Sequence, residues 1–276
     1  NTLTLQCKQL NKIVGSETFN GSLFLLPKDC RLTEFTLEGI SNIQGDFQCI
    51  DYFYVKEFVM PFIRVAGDMT IALNSGSVNT AAEIEFPKLQ EIGGTLTLGT
   101  NRNANNITFP LLKKILGSCS VTTYKLKNDI EFTNLESIGT DGADAQIKFE
   151  IEATNILCPK LKTINGKFDI ATSSFMFDME VDKVSYPNVE SISENLSITC
   201  PYSDFGSNGI LSIDFSGLKS AKGISISGQG DVTDFSSFKY LFENNVLTGE
   251  SQWSVKECGY NPTFQEMKDG KYKLAE

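Results

Sequence analysis

Short alternating apolar runs recur along the chain on a regular beat, punctuated by proline and glycine. In residues 86–98, FPKLQEIGGTLTL, apolar side chains fall at Phe86, Leu89, Ile92, Leu96 and Leu98, which are offsets 0, 3, 6, 10 and 12. The same offsets return at Phe109, Leu112, Ile115, Cys119 and Val121, and again at Cys158, Leu161, Ile164, Phe168 and Ile170. Tyr186, Val189, Ile192, Leu196 and Ile198 make a fourth strong copy. Weaker copies run through Leu37, Ile40, Ile43, Phe47 and Cys49, and through Phe132, Leu135 and Ile138 until GTDGADA lengthens the turn. Met60, Ile63 and Val65 fit a copy one residue short, while Phe215 and Leu218 open one whose strand, Ile224 and Ile226, arrives one residue early.

Starting points at 37, 60, 86, 109, 132, 158, 186 and 215 give steps of 23, 26, 23, 23, 26, 28 and 29. An alternating strand at offsets 10 to 12 turns one side chain inward and the next outward, so a single copy cannot bury its apolar face and must stack on its neighbours. The pattern predicts a mainly β fold, a parallel β-solenoid that is right-handed by the general crossover rule. Proline at offset 1 and a run of only about seven residues between strands favour a short turn or 3₁₀ segment over a full helix. Residues 1–250 are expected to form about nine rungs, including an irregular N-terminal cap. Residues 251–276 abandon the pattern and are expected to cap the last rung, covering its apolar core and open edge.

The steps lie mostly within the 20 to 29 residue period of leucine-rich repeats. The recurring FPKLxxIxGxLxL phrase resembles the leucine-rich-repeat surface proteins of gut Bacteroides, the BspA-like and related cell-adhesion lipoproteins. Its LxxIxGxLxI core is also similar to the receptor L domain of insulin-receptor ectodomains and to glycolipid-anchored fungal cell-wall proteins. The resemblance covers roughly residues 7–245 and implies rungs of leucine-rich-repeat or receptor L-domain type. It further implies an exported protein displayed on a cell surface, anchored to the outer membrane as a lipoprotein whose signal has been removed. It departs from these families in its long C-terminal steps, in lacking a strict asparagine ladder, and in lacking the cysteine-rich region of the receptors.

Composition narrows the chemistry. The balance of 24 Lys and Arg against 34 Asp and Glu disfavours nucleic acid and anionic membrane surfaces as partners. With no histidine, His-metal sites, Ser-His-Asp and Cys-His nucleophile systems are excluded together. Carboxylate chemistry survives, as in a parallel β-helix polysaccharide lyase or hydrolase, but Asp129, Asp169 and Asp214 share no offset from their rung starts. No stretch reaches the roughly 20 apolar residues of a membrane span, and no motif calls for a cofactor or metal.

Candidate sites are few. In DYFYVKEF, Tyr52 and Tyr54 share one side of an extended segment; they form an exposed contact platform if Phe53 and Val55 face the core, and are buried if the strand is covered on both faces. Cys119, Cys49 and Cys200 fall on the inward parity and Cys158 replaces the offset 0 aromatic, which reads as small core hydrophobes or as a disulfide ladder. Cys7 and Cys30 flank the first rung as a candidate disulfide, which requires an oxidising compartment. Asn20, Asn106 and Asn195 head acceptor sequons that carry glycan only in a eukaryotic secretory pathway. The expected role is non-enzymatic adhesion or binding by a monomer, with an extracellular protein, matrix component or polysaccharide as partner. The alternatives are the lyase or hydrolase and a structural cell-envelope protein.

Overall fold

The computed structural model describes residues 1–6, 12–26, 36–50, 57–73, 82–100, 104–122, 129–141, 145–151, 155–172, 183–200, 212–230 and 232–275. Their strands pair in parallel, rung upon rung, as a β-solenoid around one apolar core. Among the described residues the longest sheet has eleven strands and a second has eight; a third face carries one sheet of five and two separate pairs. Among the described residues no helix is long and apolar enough to cross a membrane.

One rung shows how sequence sets geometry. Ala82–Glu85 runs along the third face; Leu89 N–H then donates to Phe86 O (3.3 Å) across Pro87 and Lys88, closing a turn. The two-residue strand Glu91–Ile92 follows, and after the Gly93-Gly94 corner Leu96–Thr100 joins the long sheet. Offsets 10 and 12 point inward, as their period of two requires, and Leu96 and Leu98 are buried. The expected turn after offset 0 is present, but it feeds a two-residue strand and no 3₁₀ segment.

The copy that begins at Met60 departs from the expected assignment. Phe62 is fully buried, whereas Ile63 is 36% exposed. Arg64–Val65 still pairs with Glu91–Ile92, so the missing residue is absorbed before this strand and Phe62 swings into the core in place of Ile63.

Stacking also dictates the polar corners. At the entry to the long sheet, Ser22 Oγ accepts from Asp46 N–H (2.9 Å), Asp46 Oδ1 from Asp68 N–H (2.9 Å), and Asp68 Oδ1 from Thr95 N–H (2.7 Å). Each short side chain thus satisfies a backbone donor of the next rung that would otherwise lack a partner at the bend. Gly166 marks the closest approach: a Cβ there would lie 1.9 Å from Ala145 O, so only glycine fits. On the second face, Lys113, Glu136, Lys162, Glu190 and Lys219 follow one another through backbone hydrogen bonds, which stacks opposite charges and avoids like-charge neighbours. Lys219 Nζ reaches Glu190 at 2.9 Å, lowering the pKa of the carboxyl and raising that of the amine.

Inside, Phe86, Phe109 and Phe132 form a pile with centroids 4.9 Å apart at each step and nearly parallel rings. Cys49, Cys119 and Cys158 are buried free thiols, so the reading of them as small core hydrophobes holds and no disulfide ladder joins them. Burial pushes all three thiols up, Cys119 to about 12. At the C-terminal end Trp253–Cys258 is the last strand of the long sheet, and the Trp253 indole N–H donates to Pro262 O (2.9 Å). The rings of Phe238, just before helix α1 (Lys239–Glu243), and of Phe242, on it, meet Trp253 at 5.6 and 5.1 Å. Helix α2 (Phe264–Lys268) adds buried Phe264 and Met267 to this cluster.

Candidate functional site

Among the described residues the third face is broken twice: Lys12–Val14 and Thr36–Glu38 form a separate pair, the sheet is continuous from Glu57–Val59 to Ile156–Leu157, and it starts again at Lys183–Ser185, which pairs onward with Ser212–Asp214. Before the second break, backbone bonds cross from rung to rung at offset 0: Phe86 N–H to Thr108 O (3.1 Å), Phe109 N–H to Glu131 O (3.0 Å) and Phe132 N–H to Leu157 O (2.9 Å). The series resumes with Tyr186 N–H to Asp214 O (2.8 Å). Among the described residues no such bond joins Cys158 N–H to Ser185 O.

The break coincides with a change of side chain at offset 0. Cys158 is too small to continue the phenylalanine pile. Tyr186 instead leans toward the neighbouring columns, with its ring 5.3 Å from Phe168 and 6.0 Å from Phe149, and within its own column it meets Phe215 at a tilt, 5.7 Å away. Its phenol O–H, buried with the ring, donates to Ile156 O (3.1 Å), at the edge where a ladder bond would otherwise form. Burial raises the Tyr186 pKa well above its ordinary value, with smaller contributions from Cys158 and Cys119, which keeps the phenol protonated as a donor.

The opened edge leaves a cavity of about 170 Å³ lined by Asn155, Ile156, Leu157, Lys183, Val184, Ser185 and Tyr186. Ile156 and Val184 form buried apolar walls, and Leu157 stands at 38% exposure. Lys183 Nζ lies 3.7 Å from Asp214 Oδ2. Asp129 Oδ1 accepts from the backbone N–H of Asn155 (2.8 Å) and from its side-chain amide (3.3 Å), which fixes the Asn155 side chain as a donor toward Asp129. The result is a cleft with apolar walls and a few placed polar groups, the mixture typical of small-molecule sites. Among the described residues no three of Cys, Asp and Glu converge to hold a metal ion.

Among the described residues, none of those singled out from sequence as a candidate site lines the cleft. Tyr52 and Tyr54 fall outside the described residues, as do Cys7 and Cys30. Asn20 is exposed just before the strand Ser22–Leu25, and Asn195 is exposed at the start of the strand Asn195–Cys200. Asn106 lies in the strand Ala104–Thr108, aligned with Glu83. The structure does not bring these asparagines together at one site. Sequence reasoning missed Asn155, Lys183 and Tyr186, although the signal was present: a cysteine at offset 0, a tyrosine at the next offset 0, and a long step of 28 between them. No protein-family model, curated protein or solved structure matches the chain.

Proposed function

We propose that the chain is a non-enzymatic adhesion or binding protein that presents a rigid repeat surface to an extracellular protein, matrix component or glycan. The single observation that carries the proposal is the open cleft between Ile156–Leu157 and Lys183–Ser185, at one of the two breaks in the third face among the described residues. A stacked solenoid holds such a cleft rigid, so little ordering entropy opposes binding. The buried Cys158 thiol beside it has its pKa raised, which favours the unreactive thiol over the thiolate nucleophile. We assign the rungs to the leucine-rich-repeat or receptor L-domain type, wound right-handed as parallel crossovers are. Placement on a cell surface through a lipid anchor accords with that assignment.

The test is retention of the purified chain on an array of glycans and matrix proteins, with release of reducing sugar and unsaturated product followed in the same wells. Saturable retention without product is the expected result. Product release that one carboxylate substitution abolishes would overturn the proposal in favour of a lyase or hydrolase.

A further inference from the structure

We infer that the cleft between Ile156–Leu157 and Lys183–Ser185 holds one neutral polyhydroxylated ring, the hexose-sized unit of a glycan. The inference rests on the binding role proposed above and names its ligand class and its place.

Size comes first. A cavity of about 150 Å³ accommodates a benzene ring, so one of about 170 Å³ has room for a single six-membered ring. The lining then selects the kind of ring. Leu157, 38% exposed, supplies an apolar wall for a C–H face of a sugar, backed by Ile156 and Val184, which are turned into the core. Asn155, Lys183 and Ser185 bring an amide, an amine and a hydroxyl to the rim.

Charge disfavours an acidic ring. Lys183 already faces Asp214 at 3.7 Å, Asp129 sits behind Asn155, and the chain carries a formal charge of −10. Shape disfavours an extended peptide, which could otherwise add to an open strand edge. Tyr186 ties its hydroxyl to Ile156 O, and Asn188 Nδ2 donates to Pro159 O (2.8 Å) just beyond, so the rungs close at that end and a chain cannot pass through.

The experiment compares the wild-type chain with Leu157→Trp, which fills the mouth, and with the double variant Asn155→Ala, Lys183→Ala, which removes rim donors. The probe is an array of immobilised neutral oligosaccharides, uronic-acid oligomers, extended peptides and matrix proteins, with free hexoses as competitors. Unchanged melting temperatures verify the fold of each variant, and hexose titration followed at the Ser185 and Tyr186 amides gives a second readout. The expected result is retention on at least one neutral glycan, competed by free hexose and weakened at least tenfold in both variants. Glycan retention that neither variant alters would overturn the assignment of the cleft while leaving the binding role intact, as would retention confined to acidic oligomers, peptides or matrix proteins. Retention on nothing in the array would overturn both.

Discussion

Two stretches of the third face use one repeat and reach opposite outcomes. From Phe86 to Phe132 an aromatic fills offset 0 in each rung, the rings stack at 4.9 Å, and the backbone ladder is unbroken. From Cys158 to Tyr186 the small side chain interrupts the pile, the tyrosine turns aside, and the ladder opens into a cleft. A repeat therefore acquires a cleft by a local lapse in its own regularity: stacked rungs flank the opening, and its defining residues are those that do not repeat.

The contrast is open to test, most strongly at alkaline pH. Cys49, Cys119, Cys158 and Tyr186 all have folded-state pKa values raised by burial, Cys119 from 9.0 to about 12. A raised value means that the folded state holds its proton more tightly than the unfolded state. The stabilisation is complete below about pH 9 and is lost as the pH climbs toward 12. Urea titrations between pH 8 and 12 should show a steep decline, and Cys119→Ala should flatten it; a pH-independent midpoint would contradict the burial of these thiols.

Next in size is the closed stretch itself. Phe109→Ala removes the middle ring of the pile and should cost about 3–5 kcal/mol, measured by equilibrium denaturation. At the open stretch the opposite change is informative. Cys158→Phe restores an aromatic where Tyr186 now leans, and overpacking there should cost about 1–3 kcal/mol while abolishing retention on any ligand of the cleft. Tyr186→Phe removes only the tie to Ile156 O and should cost about 1 kcal/mol. The smallest effect belongs to the exposed charge ladder: Lys219→Ala should leave the denaturation midpoint within error and release the Glu190 pKa upward, as read by carboxyl NMR titration.

Much of the solenoid was legible because its inward columns obey a strict period. Offsets 0, 3, 6, 10 and 12 in the Phe86 and Phe109 copies are all buried, as periodicity alone required. The third-face strands were not legible. Each is a run such as AEIE at 82–85 or KVS at 183–185 with a single inward residue, Ile84 or Val184, too brief to show alternation. Ile63 misled because a one-residue deletion can be absorbed at several points in a turn, and only three-dimensional packing selects Phe62. The cleft was hidden for a different reason. Cys158 and Tyr186 were read as acceptable members of an apolar column, and the consequence of exchanging a ring for a thiol is steric, felt between rungs 28 residues apart.

The most direct test of the central claim, that the break in the ladder is where the chain binds, is hydrogen exchange with and without a saturating glycan from the array. The account predicts new protection confined to residues 155–157 and 183–186. Protection spread over the outward face of the long sheet, at 96–100 and 119–122, with none at the break, would contradict it.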